Sequence, residues 1–124
     1  MSYTISQVAE KFDLTAHTIR YYDKEGLLPF VERSKSGSRE FSDSDLEWLK
    51  LICCLKNTGM PLKQIKQYIE WCLQGDETLE IRRQLFLDHR KEVLKQMADL
   101  RENLKIIDFK LKIYDTGCNI PTHK

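Results

Sequence analysis

Long hydrophobic runs are missing from this sequence of 124 residues. Nothing approaches the roughly 18 apolar residues that a membrane-crossing helix needs. The opening MSYTISQVAEKF has no apolar signal core, which argues against secretion and for a cytoplasmic protein. An excess of one charge is missing too: the formal net charge is +1, and acids and bases balance within residues 1–75. A diffuse basic surface is therefore excluded, and any nucleic-acid contact has to be local and geometric. Cysteine does not supply a disulfide framework. Cys53 and Cys54 are adjacent, which strains a bridge between them, while Cys72 and Cys118 stand apart. Reduced thiols are the simpler expectation. There is no carboxylate pair, nucleophile–base set, glycine-rich phosphate loop or metal cluster, so neither an enzyme nor a bound cofactor is expected. The apolar fraction of 41% and charged fraction of 31% still describe a chain that folds.

What is present begins with Thr15–Pro29, TAHTIRYYDKEGLLP. Before it, Tyr3–Phe12 reads as a short helix with Ile5, Val8, Ala9 and Phe12 at helical spacing and Thr4 or Ser6 as its cap. Asp13-Leu14 reads as a tight turn. Thr15 then caps a second helix from Ala16 to Lys24, and Gly26 stops it. Two short helices joined by such a turn make a helix-turn-helix, whose second helix enters the major groove. Ile19 points inward between Leu14 and Leu27. His17, Thr18, Arg20 and Tyr21 form the outward face, with donors suited to base edges and phosphates. An ordinary amphipathic helix with a solvated polar face has the same periodicity.

Phe30–Phe41, FVERSKSGSREF, reads as a hairpin with a loop around Gly37. Arg33, Lys35 and Arg39 lie within it, with no acid between Arg33 and Arg39. After a helix-turn-helix such a hairpin is a wing that reaches phosphates; standing alone it is a solvated charged loop. Ser42–Thr58 reads as a third helix capped by Ser42, with Asp45 in its first turn. Leu46, Leu49 and Cys53 share its inner face, widened by Trp48, Ile52 and Leu55. Gly59 ends it, and Pro61 opens a fourth helix with Leu62, Ile65, Tyr68, Ile69 and Cys72 inward, ended by Gly75.

From Glu77 to Tyr114 there is neither glycine nor proline. Phe86, Val93, Met97, Leu100, Leu104, Ile107, Leu111 and Tyr114 follow three-four spacing, with Arg90 the exception. A helix of that length extends roughly 55 Å. Its stripe asks for a partner helix, best supplied by a second copy in a parallel or antiparallel coiled coil.

The order of these parts resembles the MerR family of transcription regulators. Three segments carry the resemblance: Thr18–Pro29 (TIRYYDKEGLLP), Ser36–Phe41 (SGSREF) and Leu55–Leu62 (LKNTGMPL). The resemblance implies a mostly α fold: a winged helix-turn-helix DNA-binding domain with a helix pair over 1–75, a long antiparallel coiled-coil dimerisation helix over 76–115, and a tail over 116–124. It implies a homodimer on a near-palindromic promoter element, which bends and untwists the DNA so that RNA polymerase can read two widely spaced hexamers. By position, Thr15, His17, Thr18 and Arg20 resemble the family's reading face, Tyr21 and Lys56 the pair that grips the distorted centre, and Arg39 the phosphate-binding arginine of the wing. Tyr22 packs between helix and wing. Phe41 stands where the family frequently has tyrosine. Dimerisation falls to Val93, Met97, Leu100, Leu104, Ile107 and Leu111.

The sensor is less determined. Ile52–Asn57 (ICCLKN) resembles the branch that responds to aldehydes and other thiol-reactive electrophiles, with its single cysteine at the position of Cys54. Cys54 is rotated about 100° from Cys53 and so lies nearer the helix edge. Lys50 and Lys56 can supply positive potential to a reactive thiol; the bland alternative for Cys54 is a small buried hydrophobe. A metal-responsive reading uses Cys72, Cys118 and His123, although one tail cysteine is few ligands for zinc or copper(I). At this length a drug-sensing effector domain is not expected, and clustered tail cysteines for an iron–sulfur sensor are lacking. A plain coiled-coil interaction protein leaves Thr15–Pro29 and Arg33–Arg39 unexplained.

Overall fold

A computed structural model describes residues 2–117. The chain runs β1 (Ser2–Tyr3), α1 (Ile5–Phe12), α2 (Ala16–Lys24), β2 (Glu32–Arg33), β3 (Arg39–Ser42), α3 (Asp43–Asn57), α4 (Leu62–Gln74) and α5 (Leu79–Asp115), with a 3-10 turn at Asp76–Thr78. The mostly helical fold and the winged helix-turn-helix agree with the sequence expectation. Cys118 and His123 lie outside the described residues, as does the greater part of the expected tail.

Local chemistry explains the helix ends. Thr4, not Ser6, caps α1: its hydroxyl accepts from the Gln7 N–H while the Gln7 side chain accepts from the Thr4 N–H. Asp13 takes a left-handed conformation, φ 55°, where α1 ends. The second helix closes through a Schellman arrangement, in which the Leu27 N–H reaches the Tyr22 carbonyl at 2.9 Å and the Gly26 N–H reaches that of Asp23 at 3.1 Å. That geometry needs the positive φ of Gly26, +82°. α2 therefore has the bounds expected from Thr15 and Gly26.

Two elements escape sequence reading. Tyr3, expected to begin a helix, instead forms a strand with Ser2. It pairs antiparallel with β3, Ser2 opposite Ser42 and Tyr3 opposite Phe41, giving a three-stranded sheet of order β1-β3-β2. Two residues are too few to show a two-residue alternation, so long-range backbone pairing makes the strand. The 3-10 turn forms because the Thr78 hydroxyl donates to the carbonyls of Trp71 and Gly75, and the Arg82 guanidinium donates to the Gly75 carbonyl at 2.8 Å.

Val8, Ile19, Leu27, Phe41, Leu49, Ile52, Ile65 and Ile69 are fully enclosed. They come from α1, α2, β3, α3 and α4 and the turn after α2, so one core holds the helix-turn-helix, the wing and the helix pair together. Trp48 extends this core sideways: its indole N–H donates to the Leu27 carbonyl at 3.2 Å, and its ring stacks on Tyr68 and meets Phe30 edge-on. Cys53, expected inside, is half-buried; Ile52 and Leu55 take the deeper positions.

The chain divides into two units, Met1–Arg83 and Gln84–Lys124, so the start of α5 belongs with the first. α5 runs for 37 residues without a buried side chain. Among the described residues no helix is long and apolar enough to cross a membrane.

Candidate nucleic-acid interface and thiol site

The second helix of the helix-turn-helix, α2, is organised from its N-cap. The Thr15 hydroxyl accepts the Thr18 N–H at 3.0 Å and lies 2.9 Å from the Thr18 hydroxyl. This holds the first turn and leaves the Thr15 hydroxyl one further hydrogen bond. His17 and Arg20 are exposed, Tyr21 is exposed, and Thr18 is half-buried. Tyr22 is buried, the packing role expected of it, and its ring tilts against Tyr21 at 6.3 Å. Burial, then the proximity of Cys53 and Tyr21, push the Tyr22 phenol above its usual range.

The wing is tied to that helix through a residue that sequence reasoning passed over. Asp23 Oδ2 accepts from Arg39 Nε at 2.6 Å, and Arg33 Nη2 lies 3.8 Å from the same oxygen. The Arg39 and Asp23 side chains are about one-fifth exposed, at 19% and 22%. Arg33 also donates through Nη1 to the Gly37 carbonyl at 3.0 Å. The turn needs Gly37 at φ +88°, where its own N–H reaches the Ser34 carbonyl. Lys35 stands exposed in this loop. Arg33 and Arg39 are thus brought to α2, whereas Lys56, exposed in the last turn of α3, makes no hydrogen bond or ion pair to it among the described residues. The one signal for Asp23 was an acid on the reading helix ahead of two wing arginines, and spacing alone does not choose such a partner.

Cys53, Cys54 and Cys72 are free thiols. Cys54 is exposed, on the outer side of α3, so the reading as a buried hydrophobe does not hold and bulk added there does not press on the core. Burial pushes the Cys53 thiol up, disfavouring its thiolate. The Cys54 carbonyl accepts both the N–H of Thr58, at 3.1 Å, and its hydroxyl, at 2.8 Å, while the Lys56 carbonyl accepts the Gly59 N–H at 3.1 Å. Cys54 and Lys56 therefore share the capping structure that ends α3.

Cys72 has a different setting. Arg82 Nη1 approaches its sulfur at 3.7 Å, and the same arginine holds the Thr78 hydroxyl at 3.0 Å. A guanidinium beside the sulfur opposes a second cation. Among the described residues no three His, Cys, Asp or Glu side chains are grouped to hold a metal.

Comparison with known proteins gives this geometry a context. Residues 3–71 match the family described as MerR HTH family regulatory protein, and residues 46–108 match MerR, DNA binding. An HTH-type transcriptional regulator of Haemophilus influenzae is 49% identical over 114 residues, which is 92% of this chain and 84% of that protein. The Bacillus subtilis regulator AdhR is 37% identical over 91 residues, 73% of this chain and 65% of AdhR. Among solved structures, HiNmlR, a MerR family regulator lacking the sensor domain and bound to promoter DNA, superposes with a TM-score of 0.87 at 48% identity, covering 94% of this chain and 92% of that one. A MerR family regulator of Bacillus thuringiensis gives 0.83 at 46% identity, covering 90% and 98%. With the helix-turn-helix, the wing latched to it and the long fifth helix all in place, this chain belongs to the MerR family of DNA-binding transcription regulators and is not an enzyme.

Proposed function

We propose that the protein is a cytoplasmic homodimer that binds promoter DNA sequence-specifically, distorts the spacer between two hexamers, and activates when aldehydes or other electrophiles modify Cys54. His17, Thr18 and Arg20 meet base edges and adjacent backbone, with Thr15 holding their turn. Tyr21 and Lys56 grip the centre of the site, and Arg33, Lys35 and Arg39 set the wing on phosphates. The capture of HiNmlR on promoter DNA supports the DNA half of this reading.

Antiparallel pairing of two α5 helices covers the apolar stripe. Met97, Leu100, Leu104, Ile107 and Leu111 are each at least 48% exposed in one chain, and Val93 continues the row. Two-fold symmetry then presents two reading helices to a palindrome, and the distorted duplex brings both hexamers to a face that RNA polymerase reads.

The observation that carries the sensing step is the exposed Cys54 thiol on the turn that also carries Lys56. The thiolate sulfur adds to the aldehyde carbonyl carbon, the π pair moves to oxygen, and a solvent proton completes the hemithioacetal. The adduct perturbs the Thr58 cap, and Gly59 passes the shift to Lys56. Bending a 20–30 bp site costs on the order of 1–6 kcal/mol, so changing a few phosphate contacts is commensurate with switching the distortion. In a reporter driven by the target promoter, Cys54→Ser should abolish the aldehyde response while Cys53→Ser retains it. An undiminished response in Cys54→Ser sinks the sensing reading.

A further inference from the structure

Asp23 is an acid on a helix that has to approach a polyanion. Charge alone would remove it, since each negative group there repels phosphate. Yet its carboxylate is drawn in from solvent and receives Arg39 Nε at 2.6 Å, with Arg33 Nη2 at 3.8 Å. The Arg39 bond uses Nε alone. Nη1 and Nη2 make no other hydrogen bond among the described residues. A guanidinium held by Nε keeps its planar fork, two parallel N–H groups that match two oxygens of one phosphate.

We propose that Asp23 is a positioning residue for DNA binding: it clamps Arg39 by Nε, leaves the Nη1/Nη2 fork for a single phosphate, and thereby makes the reading helix and the wing engage DNA as one unit. The inference rests on the assignment of Arg39 to phosphate contact, which it deepens. The physical gain is preorganisation. A free arginine loses rotamer freedom when it meets a phosphate; Arg39 has lost it already, on folding. Arg33, bonded to the Gly37 carbonyl, keeps the wing loop against the same carboxylate. The arrangement also sets a distance rule: Arg39 lies on β3 and Asp23 on α2, so a phosphate held by Arg39 is placed at a fixed offset from the groove that α2 enters.

The test is fluorescence anisotropy of the full-length protein on a labelled duplex carrying the palindrome upstream of its own gene, measured across a salt series. Variants are Asp23→Asn, Arg39→Ala, Arg39→Lys and the Asp23→Asn/Arg39→Ala pair. Electrostatics alone makes Asp23→Asn bind more tightly, because a dimer sheds two negative charges. Clamping makes it bind about tenfold more weakly, from two side chains that are no longer preorganised. In Arg39→Ala the slope of log K against log salt should fall by about two, one phosphate contact per protomer at about 0.9 each. Arg39→Lys keeps the charge, and with it the slope, but has no fork, so it should weaken binding about as much as Asp23→Asn. In the Arg39→Ala background, Asp23→Asn should cause no further loss. Thermal unfolding of each variant confirms that the protein remains folded, and Arg39→Lys carries the test if Asp23→Asn does not fold. If Arg39→Ala leaves affinity and slope unchanged, the phosphate assignment of Arg39 fails. If Arg39→Ala weakens binding while Asp23→Asn binds as well or better, or if Arg39→Lys matches the wild type, the phosphate contact stands and the positioning role of Asp23 is overturned.

Discussion

Tyr68 shows what one side chain can report about the helix pair. Burial first, then a hydrogen bond to Cys72 and the charge of that thiol, push its phenol up to about 12 against a downward pull from Arg82. An unfolded tyrosine titrates near 10. Between about pH 10 and about 12 the unfolded chain has therefore released a proton that the folded chain keeps, so stability falls as pH rises through that window and is fully present below it. Urea midpoints taken across the window should fall in the wild type and fall less steeply in Tyr68→Phe. At this scale the sequence was partly readable. That Cys54 lies nearer the edge than Cys53 followed from a rotation of about 100° per residue. That Asp23 joins Arg39, or that Arg82 reaches Cys72, did not follow, because those pairs meet through space across 16 and 10 residues.

Elements end where local hydrogen bonding ends them. Ser42 serves two elements at once, as the last residue of β3 opposite Ser2 and as the N-cap of α3. Its hydroxyl accepts the Asp45 N–H at 3.1 Å, and the Asp45 carboxylate accepts the Ser42 N–H at 2.9 Å. Ser42→Ala should cost about 1 kcal/mol, and Asp45→Ala more, because a nearly enclosed carboxylate and its partner are both lost. Chemical denaturation gives both values; equal costs for the two would contradict the larger share assigned to the enclosed Asp45 carboxylate. Helix bounds were the most legible part of the chain for this reason: caps, stops and periodicity act within a few residues. The strand Ser2–Tyr3 was illegible because its one cause is the backbone of residues 41–42, far along the chain.

For the whole molecule, the apolar row along α5 governs assembly. A row of apolar side chains on a helix with no buried residue is stable in water when another helix meets it. Leu100→Glu with Leu104→Lys should yield a monomer in sedimentation equilibrium, with lower helical content and no binding to the palindrome at concentrations that saturate the wild type. A dimer that survives both changes removes α5 pairing from the proposal. In the proposed dimer, assembly and DNA binding are coupled, since each protomer would present a single reading helix and half-site spacing would be set by the distance between two.

The sequence by itself determined the α-helices, the caps of α2 and α3, the wing loop and the family, since each depends on neighbours along the chain or on motifs kept in order. Tertiary structure alone decided the third strand of the sheet and the Asp23 carboxylate shared by two wing arginines. Those depend on which surfaces the core brings together, and periodicity carries no information about a partner's distance.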